Sequence, residues 1–245
     1  MDREAFLAAC RAVEQGAEGP GGIGTLGEKT LHAVLKRALE PDDSYHEINC
    51  GPYVADIWGP QGFIEVQTRQ LYRLREKLEL FLTLAPVTVV YPVPAVKRVI
   101  WVGEDGSMSE PHPSSKKYQT WEILPELAGL TGLIGREGLE FLILLLEVED
   151  YRLLNGWSKD KKRGSTRLDR MPVDLLGELR LQCREDFRAL VPESLPETFT
   201  MSDFRKATRF RDRKASLSVK VLTELGAVEK IGKEGRAFVY RIVEG

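Results

Sequence analysis

A mixed α/β fold followed by a C-terminal helix-and-hairpin module is the architecture that the sequence predicts, and three observations predict it. Residues 56–67 read Asp-Ile-Trp-Gly-Pro-Gln-Gly-Phe-Ile-Glu-Val-Gln, two apolar strands around a tight turn. On either side of this hairpin, leucines recur at the three- and four-residue spacing of a helix. Near residue 200 the chain turns basic and its pattern becomes strand, helix, helix, hairpin.

The elements follow in order. A short N-terminal helix gives way to a Gly-rich hinge at residues 16–24, which lacks the Gly-x-x-x-x-Gly-Lys-Ser/Thr pattern of a phosphate loop. Thr25-x-x-Glu28 is a capping box, and Leu31, Leu35 and Leu39 continue from it as the apolar stripe of a helix facing a sheet. After the hairpin, Leu71, Leu74, Leu78 and Phe81 or Leu82 mark a helix over residues 69–82, with Arg69, Arg73, Arg75 and Lys77 off that face. Residues 87–91 read as a buried strand, and residues 97–102 as another. Gly103 to Gly106 is a turn, residues 110–117 a loop, and the apolar run 141–146 a buried strand whose end is marked by Glu147, Glu149 and Asp150.

The hairpin carries the chemistry. With Pro60 and Gln61 as the loop residues, Trp58 pairs with Phe63, Ile57 with Ile64, and Asp56 with Glu65. Like charges facing each other on a sheet are destabilising unless a proton, a divalent cation or solvent separates them. The apolar neighbours suggest strands covered on both faces, where an uncompensated carboxylate costs several kcal/mol. Alternation puts Glu65 and Gln67 on one face and Ile64 and Val66 on the other. Asp56, Glu65 and Gln67 are therefore expected to cluster, with an oxygen-rich magnesium site as the reading richest in chemistry. The plain alternatives are a capping role alone for Glu28, a surface turn position for Asp56, and outward alternation of Glu65 and Gln67.

An acid in the first strand of a hairpin, Glu-x-Gln or Glu-x-Lys in the second, and a helix on each side resemble the PD-(D/E)XK nuclease superfamily. The pattern here is Asp56, then Glu65-Val66-Gln67, with Glu28 at the place of the further acid on the first core helix, over residues 25–93. The resemblance implies a restriction-endonuclease-like mixed sheet flanked by helices. It also implies that Asp56, Glu65 and the Val66 carbonyl, with Glu28, hold Mg2+ or Mn2+, which activates water for phosphodiester hydrolysis. Gln67 departs from the commoner Lys; it has neither charge nor basicity and can only orient water by hydrogen bonds.

The C-terminal part resembles a winged-helix domain. Residues 198–207 read as a short strand and a capped helix, 213–225 as a second helix stopped by Gly226, and 227–242 as a hairpin, with a first helix expected around residues 175–191. From residue 200 onward, eleven Lys or Arg stand against six acids, although the whole chain has a formal net charge of −2. Such an excess suggests an anionic partner. Arg209, Arg211, Arg213, Lys214, Ser216, Ser218 and Lys220 form the expected exposed set, with Lys233 and Arg236 at the wing, and the resemblance implies DNA as the partner. Winged helices that make only protein contacts are the alternative.

Composition excludes other classes. No apolar run approaches the roughly 20 residues of a membrane helix, and the charged N-terminus Met1-Asp2-Arg3-Glu4 lacks a signal-peptide layout, so a cytoplasmic protein is expected. Cys10, Cys50 and Cys183 have neither a disulfide framework nor a zinc spacing, and His32, His46 and His112 form no ligand pair. The expected organisation is an N-terminal helix and hinge (1–24), an α/β domain (25–156), a basic linker (157–172) and a winged helix (173–245). It describes a DNA-associated, metal-dependent endonuclease, with a homodimer as an option. The rival reading is a degenerate nuclease-like scaffold that binds DNA or a protein partner. A third is a toxin, defence or mobile-element component whose partner supplies specificity.

Overall fold

The computed structural model describes residues 1–16, 30–155 and 165–243. Five α-helices and ten strands are defined within them. They are α1 (Arg3–Gly16), α2 (Thr30–Leu39), β1 (His46–Cys50), β2 (Tyr53–Gly59), β3 (Gly62–Val66), α3 (Arg75–Phe81), β4 (Val87–Val102), β5 (His112–Pro113), β6 (Leu139–Leu153), β7 (Thr166–Leu181), β8 (Thr198–Thr200), α4 (Met201–Thr208), α5 (Asp212–Glu224), β9 (Val228–Glu234) and β10 (Ala237–Ile242). A large mixed sheet flanked by helices has the strand order β1-β2-β3-β4-β6-β7, with β5 on β4; a second sheet has the order β8-β10-β9. The chain divides into two compact units, each discontinuous in sequence.

The first unit comprises residues 1–59, 92–119 and 144–178. Phe6, Ala9, Cys10 and Val13 fall on one face of α1, and Leu31, Val34 and Leu35 on one face of α2. The two helices pack on each other. Arg3 grips Asp174 through two 2.7 Å bonds, and the Thr30 hydroxyl donates to Asp169, tying α1 and α2 to β7. Strands β1 and β2 are antiparallel, with His46 opposite Ile57 and Cys50 opposite Tyr53 around a Gly51-Pro52 turn.

Strand β2 alternates, burying Ala55 and Ile57 while Val54 and Trp58 are each more than a third exposed. This corrects the expectation of strands covered on both faces: in β2 an apolar run does not mean double burial. Three further corrections concern β6 and β7. Glu147, Glu149 and Asp150 lie inside β6, which runs on to Leu153. Residues 166–172, assigned to a linker, are strand, and no helix occupies residues 175–181. Leu175 and Leu181 are buried and Leu176 exposed, an alternation of period two that Gly177 and Pro172 favour over a helix. The Gly-rich hinge, Glu28 and the basic stretch at residues 157–164 lie outside the described residues.

The second unit comprises residues 60–91, 120–143 and 179–245. Strand β3 pairs in parallel with the start of β4, Phe63 opposite Val87 and Val66 opposite Val90, and the connection runs through α3. Parallel neighbours need such a crossover. The helix expected over 69–82 begins as a 3-10 turn, Leu71–Leu74, and becomes α3; Leu71, Leu74, Leu78 and Phe81 are buried as the spacing predicts. Residues 87–91 and 97–102 belong to the single long strand β4.

At the C-terminus, Thr200 and Asp203 form a reciprocal capping box at the start of α4. Strand β10 pairs with both β8 and β9, and Gly235, at φ 58°, turns the β9–β10 hairpin. In place of the expected first helix stand the end of β7 and a 3-10 segment, Glu185–Leu190; the 3-10 segment Thr120–Gly129 packs on α5.

Candidate functional site

The described residues converge on Glu65. Gly62 opens β3 at φ 103°, where an added Cβ would lie 2.3 Å from the Pro86 carbonyl oxygen. Only glycine lets the strand approach so closely. Phe63 and Glu65, two apart on a strand, share a face, and Lys77 and Phe81, four apart on a helix, share another. The two faces meet. Phe63 stacks on Phe81 at 4.0 Å between ring centroids, and Lys77 Nζ reaches Glu65 Oε2 at 2.5 Å. Lys77 also lies over the Phe81 ring, 5.4 Å from its centroid. Glu65 is only 3% exposed, so its ion pair with Lys77 compensates a charge that water does not solvate.

Gln67 follows the end of β3 and donates its backbone N–H to Val90 O at 2.9 Å. Its side-chain Nε2 donates to Arg69 O at 2.8 Å, which leaves the amide oxygen as the group able to orient a ligand. The Val66 side chain is buried on the other face of the strand from Glu65. Asp56 is half-buried, on the β2 face shared with Val54 and Trp58. Among the described residues no group of three or more His, Cys, Asp or Glu side chains is arranged to hold a metal. Lys77 was the residue whose role the sequence pattern left unread. Its position, three after Leu74 and four before Phe81, is the available signal, since it lies at the edge of the buried stripe.

The C-terminal module sorts its cations. Arg205 pairs with Asp212, Lys206 with Asp203, Lys220 with Glu224, and Arg241 with Glu229. Lys214 sits 3.6 Å from Glu122 and over the Phe210 ring. Burial pushes the Glu122 carboxyl above the usual glutamate range, and the Lys214 charge opposes this. Arg209, Arg211, Arg213 and Arg236 are exposed, and among the described residues their side chains make no ion pair or hydrogen bond. Arg209 ends α4 in the left-handed region and Arg211 precedes the first turn of α5, which places both at the α4–α5 junction.

Ser216 and Lys220 are exposed on α5 as expected, but Ser218 is not. It is fully buried and donates to Lys214 O at 2.8 Å, the back-bond of a hydroxyl four residues along a helix. The register of α5 explains the correction: Ala215, Ser218, Val219 and Leu222 form the buried face. On the β9–β10 hairpin, Lys233 and Arg236 are exposed, and Lys230 and Lys233 lie 3.2 and 4.9 Å from the centroid of the partly exposed Phe238 ring. The module thus has an aromatic surface on its β9–β10 hairpin.

Residues 29–182 match the Domain of unknown function (DUF8091), and the chain belongs to that family. An "Uncharacterized protein" of Treponema pallidum (strain Nichols) is 29% identical over 227 residues, covering 89% of this chain and 87% of the relative. That match extends beyond the family segment. No solved structure matches.

Proposed function

We propose that this chain is a DNA-associated protein: a restriction-endonuclease-like, metal-dependent endonuclease whose C-terminal winged helix holds the duplex. The observation that carries the reading is the Glu65–Lys77 pair. The hairpin motif ends in Gln67, which supplies no cation, and α3 delivers an ammonium to the same carboxylate. A buried acid with a cation beside it on the crossover helix fits the task of holding a divalent ion and stabilising the charge that builds on phosphorus. The order of helix α2, hairpin, helix α3 and parallel strand β4 supports this reading, as does the unpaired basic set Arg209, Arg211, Arg213 and Arg236.

In this proposal Asp56, Glu65 and the Val66 carbonyl, with Glu28, hold Mg2+ or Mn2+. That ion supplies Lewis acidity and an activated water. Lys77 holds the Glu65 carboxylate in its rotamer and offers positive charge to the scissile phosphate, and Gln67 orients water through its amide oxygen. The test is incubation of the full chain with duplex, branched and single-stranded DNA in Mg2+ or Mn2+. Cleavage that disappears in Asp56→Ala and in Glu65→Ala supports the proposal; cleavage unchanged in both overturns it.

The same ion pair favours a second reading. The Lys77 ammonium offsets the burial of Glu65, so the fold tolerates this acid without a metal. In that reading the scaffold is a DNA-binding or protein-interaction module, and no substrate is cut under any metal condition.

A further inference from the structure

In the first unit, the face of the sheet formed by β4, β6 and β7 carries a second concentration of charge. Asp150, on β6, is 1% exposed and accepts two hydrogen bonds from Arg170 of β7, 2.6 Å from Nε and 3.1 Å from Nη2. That bidentate pair already answers the single negative charge. Lys97 of β4 then adds a second cation, with Nζ 3.8 Å from Asp150 Oδ2, beyond hydrogen-bond distance. The Lys97 side chain is 90% buried, and its Nζ faces the Tyr118 ring at 5.6 Å. Among the described residues its three N–H groups meet no hydrogen-bond acceptor.

The surroundings increase the imbalance. Burial lowers the Lys97 ammonium below the ordinary lysine range; Asp150 opposes that, and the positive charges of Arg170, Arg152 and Lys116 add to it. The Arg167 charge also acts on Asp150. Depth is graded: Asp150 lies at the bottom, Lys97, Arg170 and Arg152 are partly covered, and Lys116 and Arg167 are exposed. Buried cations in excess of buried anions, with uncommitted donors, call for an incoming acceptor.

We propose that Lys97, Arg170, Arg152 and Lys116 form a phosphate-binding site, anchored by Asp150, on the first unit. The oxygens of a phosphate group accept from the Lys97 ammonium and from the Arg170 guanidinium edge that Asp150 does not use. Arg152 and Lys116 set the affinity from the rim. The chemistry is the same whether the group is free inorganic phosphate or a diester of a DNA backbone. All of its residues belong to the first unit, whereas Glu65 and the C-terminal cations belong to the second.

The full chain is titrated with inorganic phosphate against chloride at matched ionic strength, following the melting temperature, and separately with a duplex oligonucleotide. The variants are Lys97→Met and the surface pair Arg152→Ala with Lys116→Ala. A phosphate-specific rise in melting temperature that both variants lose assigns the site to the free ion. Absence of that rise, together with duplex binding weakened about tenfold by the surface pair, assigns it to a backbone diester. The surface pair serves as the test if Lys97→Met fails to fold. Duplex binding lost through C-terminal substitutions leaves the phosphate titration unaffected, so the two proposals fail separately. No phosphate-specific stabilisation and unchanged duplex affinity in the surface pair overturn the inference.

Discussion

Lys77 Nζ lies 2.5 Å from Glu65 Oε2, so a cation on the crossover helix meets the acid of the hairpin motif in an environment that excludes water. Removing one partner of such a pair strands the other. Lys77→Met is expected to destabilise the protein by about 3 kcal/mol or more in chemical denaturation. Combining it with Glu65→Leu should recover part of that loss, and a double-mutant cycle measures the coupling. Additive losses would show that the pair contributes little.

For hydrolysis, Asp56→Ala and Glu65→Ala are each expected to lower Mg2+- or Mn2+-dependent cleavage at least about a hundredfold, since a metal ligand supports several kcal/mol of transition-state stabilisation. Single-turnover kinetics on one labelled duplex, with folding checked by circular dichroism, make the measurement.

Duplex binding should fall as salt rises, with a log-log slope of roughly −0.9 per phosphate neutralised. Replacing Arg211 and Arg213 together by Ala should make the slope shallower by up to about two, almost uniformly across sequences. Ser218→Ala should leave base preference unchanged, because its hydroxyl is buried against Lys214 O. Ser216 is exposed on α5, and Ser216→Ala is the serine substitution expected to alter base preference.

Glu122 restrains Lys214, so Glu122→Gln should release that ammonium and steepen the salt slope by up to about 0.9. Stability gives an independent readout. The Glu122 pKa is raised by burial, against the Lys214 charge, so its contribution is present at low pH and is lost as pH rises through the folded-state value. Glu122→Gln should flatten stability over that window. A variant with unchanged salt slope would show that Lys214 does not face DNA.

Asp150 behaves in the opposite sense. Burial alone would raise its pKa, but the hydrogen bonds and charge of Arg170, with Lys97 and Arg167, hold it below the usual aspartate value. Its contribution to stability is therefore full above about pH 3.9, the unfolded reference, and is lost as pH falls through the folded value. Acid unfolding followed by fluorescence should show a flatter low-pH limb in Asp150→Asn than in the wild type. Arg170→Met, which leaves Asp150 uncompensated by its guanidinium, should cost about 3 kcal/mol or more at neutral pH.

Local chemistry is what the sequence determined by itself. The Pro60-Gln61 turn, the buried leucines of α3, the long apolar run within β6, the capping box at Thr200 and the hairpin at Gly235 were all legible, because turn geometry, side-chain periodicity and capping act within a few residues. The strand at residues 166–181 was less so: Leu175, Leu176 and Leu179 fit a helical stripe nearly as well as an alternating one, and long-range pairing settles such cases. Tertiary structure alone decided the charge partners. Lys77 reaches Glu65 across 12 residues and Arg170 reaches Asp150 across 20, while the register of α5 turns Ser218 inward although serine reads as surface. Whether a buried charge is compensated depends on which side chain the fold brings within about 4 Å of it, and Coulomb attraction in a water-poor interior is indifferent to separation along the chain.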